Sequence, residues 1–346
     1  MQKYWIRKCK LEFYNQNGEL LYEYYGGSGK RDGKYFEPKV YFDIVKTTNQ
    51  NLQTATIKMY NLNKEGNFYK ALLAERLNVR VFAGYAKDFE NGTDNMIPIY
   101  FGTIYPRPKT IYSNAVAETI LYCYYGASIK KSKMPAFSIK GAVTTKILLS
   151  YLRDKINQSQ MQIQIPEDNV LQQQLGGQIL NKKIAQLGYS TPPTRTIDDF
   201  MTMLCKLLTD DDNEIRWYLD DAKKQIVFYN MSASGTTNNE ITLTQGINIL
   251  EFDNDSVLRT ERSDYLANLT GQQMKKKKRK IQNDRQLYRV ATFLCPNIYL
   301  DTKVTLKNIE APEHMSIYSI RYFGDTHGQG HDWRIDLDLY ERGARK

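Results

Sequence analysis

The chain is poor in the residues that most enzyme chemistry draws on. It has three histidines and four cysteines in 346 residues. Cys9, Cys123, Cys205 and Cys295 lie far apart with no C-x-x-C pair, which argues against a zinc site and a disulfide framework and suits a reducing cytoplasm. No uninterrupted apolar run approaches the length of a helical membrane span, so no membrane crossing is expected. The opening MQKYWIRKCK has charges where a signal peptide needs its apolar core, so no secretory route is expected. No Ser or Cys sits in a nucleophile motif, no spacing singles out a carboxylate pair, and the histidines are too few to supply a base. The expectation is a protein with no catalytic residue, no cofactor and no metal.

What is abundant points elsewhere. The 26 tyrosines suit half-wet surfaces: strand faces, subunit contacts and grooves. Net charge is +10, but the run KKKKRK (Lys275, Lys276, Lys277, Lys278, Arg279 and Lys280) supplies six of those charges and leaves +4. The chain is therefore not basic throughout, as a dedicated duplex-DNA binder often is. The run reads either as a solvated loop or as a contact for an acidic partner, whether phosphates or an acidic protein surface. It holds no aromatic residue, so stacking recognition of bases is not expected.

Along the chain the hydrophobic period changes twice. KLEFYNQNGELLYEYYGG (10–27) is two β-rich runs joined at Asn17-Gly18, a strong hairpin signal. Strands are expected at 39–46, 55–62, 78–85, 97–106 and 115–125, with one short helix within 64–77. In 141–156 Val143, Ile147, Leu148, Tyr151, Leu152 and Ile156 fall at helical spacing. A polar, glutamine-rich stretch (157–178) precedes a second helix, with Thr196 and Asp199 as a capping box and Ile197, Phe200, Met201, Leu204, Leu207 and Leu208 as its buried stripe. Two strands follow at 215–219 and 225–229, then strands at 240–252, 288–294, 303–309, 316–323 and 333–340. In the last of these Trp333, Ile335, Leu337 and Leu339 face one way, and Arg334, Asp336, Asp338 and Tyr340 the other. The fold class is mainly β with an α+β middle domain: antiparallel barrel modules at 1–130 and 236–346 flank a small helix-containing unit at 131–235, with the basic loop near 272–285. The two β modules share an order of strand lengths, so a threefold ring of such chains would present six similar positions.

Four stretches invite a site. GDTHGQGHDW (324–333) holds His327 and His331 beside Asp325 and Asp332. An i, i+4 pair converges two imidazoles only on a helix, and Gly328 and Gly330 lie between them, so a hairpin connection is expected rather than a metal site. His314 has no obvious partner. GGSGK (26–30) lacks the spacer, the Ser/Thr and the following helix of a phosphate loop, and reads as a strand connection. TDDDNE (209–214) lacks the alternating ligands and central glycine of a calcium loop, and reads as a helix end and turn.

The order of these motifs resembles the baseplate hub proteins of contractile-tailed phages. FDIVKTTNQNLQTATIKMYNL carries Phe42, Ile44, Ala55, Ile57, Met59, Tyr60, Asn61 and Leu62. VRVFAGY and FGTI carry Ala83, Gly84, Tyr85, Phe101, Gly102, Thr103 and Ile104. A middle unit with SIKG follows, and IYSIRYFGDTHGQGHDWRIDL closes the pattern with Gly324, Asp325, Thr326, Gly328 and Trp333 as a structural turn. The pattern spans about residues 40 to 340. CPNIYLDTK (295–303) lacks the turn glycine usual there, and KKKKRK is not part of the pattern. The resemblance implies two tube-type barrels per chain in a homotrimer, a pseudo-sixfold ring that matches the hexameric tail tube to the trimeric central spike and continues the channel for DNA. It implies a tail tube or tube-initiator protein, the spike, and the tape-measure and other baseplate proteins as partners, with no membrane. Assembly would take place in the host bacterial cytoplasm and the product would sit in the virion tail. A wall-degrading tail enzyme, or a nucleic-acid-binding protein acting through Lys275–Lys280, are the competing readings.

Overall fold

The computed structural model describes residues 6–31, 34–35, 37–48, 53–63, 65–86, 94–105, 108–113, 116–126, 132–134, 137–158, 163–191, 196–210, 213–221, 223–231, 240–253, 287–295, 298–329 and 331–341. The first third supplies β1 (Arg7–Tyr14), β2 (Leu20–Gly27), the two-residue strands β3 (Lys30–Arg31) and β4 (Lys34–Tyr35), β5 (Val40–Thr47) and β6 (Gln53–Tyr60). Helix α1 (Asn67–Ala74), β7 (Asn78–Ala86), β8 (Asp94–Ile104), β9 (Lys109–Ser113) and β10 (Val116–Tyr125) follow. Alternation builds these strands: on β6 Gln53, Ala55, Ile57 and Met59 are buried, and the residues between them are not. The hairpin at Asn17-Gly18 forms, with a longer loop than a two-residue turn. There the Asn15 side-chain oxygen accepts from the backbone N–H groups of Asn17 and Glu19, each at 2.9 Å.

Hydrogen bonding runs β2-β1-β7-β8-β10-β6-β5, and β9 adds to β10. The circuit closes where the Gly27 N–H donates to the Pro38 carbonyl at 3.4 Å. A barrel results, filled by Leu11, Phe13, Phe42, Ile44, Ile57 and Val81, each fully buried. Burying each such side chain is worth roughly 1.5–3 kcal/mol.

The middle third contains β11 (Phe137–Lys140), β12 (Val143–Thr144), α2 (Thr145–Gln158), α3 (Asp168–Leu175), α4 (Gly177–Leu180), β13 (Lys183–Ala185), β14 (Gly188–Thr191), α5 (Ile197–Leu208), β15 (Ile215–Asp220) and β16 (Gln225–Asn230). The Thr196 capping box is present, with the Asp199 N–H donating to the Thr196 hydroxyl at 3.1 Å. Three sequence expectations need correction. Val143 lies in β12 ahead of α2, and Ile147 is exposed. The buried stripe of α2 is rotated to Leu148, Leu149, Leu152 and Ile156. On α5 Leu207 is exposed and Cys205 takes its place, because Met201, Leu204, Cys205 and Leu208 keep the i, i+3, i+4, i+7 spacing. The glutamine-rich stretch is helical in part: Leu171 and Leu175 give α3 a buried face.

The last third supplies β17 (Glu240–Thr244), β18 (Ile249–Asp253), β19 (Tyr288–Phe293), β20 (Lys303–Lys307), β21 (His314–Asp325) and β22 (Trp333–Glu341). The run expected as one strand over 240–252 is two. A turn at 245–248 sends β17 to pair with β20 in parallel and β18 to pair with β19 antiparallel. That corner closes a second circuit, β18-β19-β22-β21-β20-β17. Trp333, Ile335, Leu337 and Leu339 fill it as expected. Tyr340 is buried rather than outward-facing, because Arg216 of β15 lies over its ring at 4.8 Å.

The two circuits are joined. β21 pairs β20 along its first residues and β5 along its last, from Ser319↔Thr47 to Asp325↔Tyr41. Strands separated by nearly the whole chain thus share one ladder, and a single hydrogen-bonded path crosses both barrels. The architecture is mainly β with a small helix-containing middle unit, as the alternation predicts.

Candidate interface site: the Arg7 clasp and the barrel junction

The GDTHGQGHDW stretch is a hairpin connection, and a cation does sit in it, though not a metal. The Arg7 guanidinium enters from β1. Its Nη1 donates to the carbonyls of Asp325 at 2.7 Å and Gly328 at 2.9 Å, and its Nη2 donates to the Gln329 carbonyl at 2.5 Å. Its carbon lies 6.0 Å from the Trp333 ring centre. A planar fork of donors can hold several carbonyls at once, which a point-like ammonium cannot.

Each residue of the motif has a physical reason. A Cβ on Gly324 would lie 2.2 Å from the Phe42 ring, which packs edge-on against Trp333 at 5.2 Å. The Asp325 carboxylate accepts from the His327 N–H at 2.9 Å and meets the Lys39 ammonium at 2.8 Å. The Thr326 hydroxyl accepts from the Val40 N–H at 2.9 Å, while the Thr326 N–H donates to the Val40 carbonyl at 3.0 Å. A Cβ on Gly328 would meet Asp332 at 2.6 Å. His327 Nε2 lies 3.0 Å from the Gly27 carbonyl and 3.1 Å from that of Glu37. Carbonyls only accept, so Nε2 carries the proton, and burial holds this histidine below its ordinary pKa. His331 is exposed and turned toward Glu251, 4.0 Å away. The two histidines are not brought together, and among the described residues no group of three His, Cys, Asp or Glu could hold a metal ion.

A second convergence pins the middle unit to both barrels. The β15–β16 turn presents Asp221, whose Oδ1 meets Lys46 Nζ of β5 at 2.5 Å and whose Oδ2 accepts from the Phe101 N–H of β8 at 2.7 Å. Gln53 donates to the Leu219 carbonyl. Tyr218 donates to Asp301 at 3.2 Å, and Arg216 to the Thr48 hydroxyl at 3.1 Å. Burial pushes the Asp221 carboxyl above the ordinary carboxylate range, against the opposing pull of Lys46 and the Phe101 N–H. Burial likewise raises Asp301.

Of the other stretches, Gly26 and Gly27 of GGSGK end β2 against Pro38 and Val40. In TDDDNE, Asp210 accepts from Asn213 at 2.9 Å and meets Lys182 at 2.8 Å, turning the chain after α5. His314 begins β21. Lys275, Lys276, Lys277, Lys278, Arg279 and Lys280 lie outside the described residues. Sequence reasoning missed Arg7, Lys46, Gln53 and Asp221. For Arg7 a signal existed, since it shares the inward face of β1 with Cys9, Leu11 and Phe13. For Asp221 none did, because its partners, Lys46 and the Phe101 N–H, come from two distant segments.

Comparison with known proteins places this geometry in a known architecture. No family model and no curated protein sequence matches the chain. Among solved structures, a tail protein from Neisseria meningitidis MC58 superposes with a TM-score of 0.56 at 10% identity, covering 97% of this chain and 97% of its own. The 43 kDa tail protein of prophage MuSo2 from Shewanella oneidensis gives 0.54 at 10% identity, covering 97% and 98%. A chain of the half-lidded Francisella PdpA–VgrG complex gives 0.51 at 9% identity over 99% of this chain and 59% of its own. The fold is that of phage tail proteins, and it runs the length of the chain. The resemblance to baseplate hub proteins read from the motif order is consistent with these structural neighbours.

Proposed function

We propose that the protein is a structural hub of a contractile phage tail. Three copies would set six barrels in a pseudo-sixfold ring, continuing the hexameric tube on one face, seating the trimeric central spike on the other and leaving a channel for DNA. The observation that carries this reading is the β5–β21 ladder, which joins the two barrels in one hydrogen-bonded sheet within a single chain. Two like barrels per protomer are what a threefold ring needs to meet a sixfold neighbour. The tail-protein fold over 97% of the chain supports the same reading.

In this reading residues 1–130 and 236–346 are the two barrel units, and 131–235 is the insert that distinguishes one barrel neighbour from the other. Gly324, Asp325, Thr326, Gly328 and Trp333 form the turn that clasps the two barrels together. Tube or tube-initiator, spike, tape-measure and other baseplate proteins are the partners, and the hub performs no catalysis. The run Lys275–Lys280 serves as a contact for an acidic partner surface. The protein assembles in the host cytoplasm and ends in the virion tail.

The test is the solution mass by light scattering, alone and with the cognate spike protein. A trimer in either condition is expected, and a monomer in both removes the reading.

A further inference from the structure

The outer face of the first barrel holds two cations that no carboxylate pairs with. Arg80 of β7 stands directly opposite Glu12 of β1 in the ladder. The Glu12 carboxylate turns the other way, meeting the Lys10 ammonium at 2.6 Å and accepting from the Tyr14 hydroxyl. Arg80 lies instead against two rings. Its guanidinium carbon is 5.6 Å from the centre of Phe101, its register partner on β8, and 5.8 Å from that of Tyr14. The second cation comes from the middle unit. Lys224, in the β15–β16 turn, places its ammonium 4.7 Å from the centre of the same Phe101 ring. The turn is pinned there, because Asp221 accepts from the Phe101 N–H and the Lys224 carbonyl accepts from the Gln164 N–H at 2.9 Å.

This arrangement is unfavourable for the chain by itself. Lys224 has a φ of +54°, a left-handed backbone that L residues other than asparagine and aspartate seldom adopt. Burial, and then the neighbouring Arg80, hold its ammonium below the ordinary lysine pKa. Arg80 Nε is buried and has no hydrogen-bond partner, a state that folded proteins rarely leave unrelieved. Among the described residues neither cation forms an ion pair, and the carboxylates of the turn are engaged elsewhere, Asp221 by Lys46 and Asp220 by Lys223. A carboxylate entering beside Phe101 would meet the Arg80 fork and the Lys224 ammonium together and relieve their repulsion.

We propose that Arg80 and Lys224, on the shelf formed by Phe101 and Tyr14, bind a carboxylate side chain from an acidic segment of a neighbouring protein. The aromatic walls favour an aspartate or glutamate over a free inorganic anion, because they give apolar contact to the stem that carries the charge. The inference stands apart from the hub reading: it needs a protein neighbour, but no trimer, tube or spike.

The test uses the full chain with Lys275–Lys280 changed to serine, which removes the other cationic contact. Binding of a fluorescein-labelled hexaglutamate peptide is followed by anisotropy at low salt. Arg80→Gln and Lys224→Gln are each expected to weaken it about tenfold, the loss of one charged hydrogen bond. Lys223→Gln removes the same charge one residue away, from an exposed side chain, and should change binding less than about twofold. Lys224→Glu keeps the backbone demand and gives Arg80 a carboxylate from within the chain. It should abolish peptide binding and raise the melting midpoint of the free protein by roughly 1–3 °C. Equal losses from Lys223→Gln and Lys224→Gln overturn the proposal, as does a lowered midpoint for Lys224→Glu. Inorganic phosphate is then titrated against the bound peptide beside chloride of matched ionic strength. Equal displacement by the two salts is expected, and stronger displacement by phosphate identifies a free-anion site and overturns the protein partner. If Arg80→Gln does not fold, the two Lys224 variants, at a half-buried turn position, carry the same comparison.

Discussion

The Arg7 guanidinium donates to the carbonyl of Asp325 across 318 residues of sequence, at 2.7 Å. With the carbonyls of Gly328 and Gln329 it completes a cation site made of backbone oxygens and one side chain. Replacing Arg7 by Met should leave those carbonyls without their shared donor and cost about 2–4 kcal/mol, given that charged hydrogen bonds are worth roughly 1.5–3 kcal/mol each. Arg7→Lys should recover only part of the loss, because an ammonium lacks the planar fork. Urea unfolding of the three proteins measures both differences, and equal stability of Lys and Arg variants would count against the clasp.

Gly324 is set by Phe42. A methyl group at Gly324 would sit 2.2 Å from that ring, so Gly324→Ala is expected to cost about 2–3 kcal/mol through overpacking. Phe42→Leu should cost stability alone but less when combined with Gly324→Ala. The coupling is read from a double-mutant cycle of thermal or urea unfolding.

The Lys46–Asp221 pair should behave as a buried ion pair. Lys46→Met leaves the Asp221 carboxylate uncompensated and should cost about 3–5 kcal/mol. Adding Asp221→Asn should restore part of that, because the amide oxygen can still accept from the Phe101 N–H without carrying charge. A double variant no more stable than Lys46→Met would contradict this account.

The pH profile follows from groups shifted in opposite directions. Asp221, Asp301 and Asp336 are all raised, chiefly by burial. Their contribution is fully present below the ordinary aspartate value of 3.8 and is lost as pH rises through the raised values. Asp210 is held down to about 2 by its hydrogen bonds to Lys182 and Asn213, so its contribution is present above 3.8 and lost as pH falls toward 2. Asp210 is solvent-accessible, and its share is small. Unfolding free energy should therefore rise as pH is lowered from neutral through the raised values of the three buried carboxyls, and only the small share of Asp210 should be lost between 3.8 and about 2. Asp221→Asn should flatten the rise.

Thiol accessibility gives a simple check on the two cores. Cys9, Cys123 and Cys205 are buried and Cys295 is exposed. Burial also raises the first three thiols, which removes the reactive thiolate. Native protein should react with a thiol reagent at one site, Cys295, and denatured protein at four.

Much of this protein was legible in the residues alone. Period-two alternation placed β6, β7 and β22, because one buried face per strand leaves a direct trace in the sequence, while β15 and β16, buried on both faces, read as short apolar runs. Thr196 and Asp199 announced α5 for a similarly local reason. The glycine-rich turn at 324–333 was also readable as a turn, since its backbone needs small residues wherever it approaches itself.

The tertiary structure decided the rest. Which leucine of a helix is buried depends on its neighbours, and Ile147 and Leu207 sit one residue outside the faces that α2 and α5 present to the core. The corner at 245–248 splits a run of uniform β character because barrel closure needs β17 and β18 on different neighbours. The pairing of β21 with β5, the Arg7 clasp and the Lys46–Asp221 pin each join residues more than 170 positions apart. Local pattern carries no information about such contacts, because they arise only where the two barrels and the middle unit pack against one another.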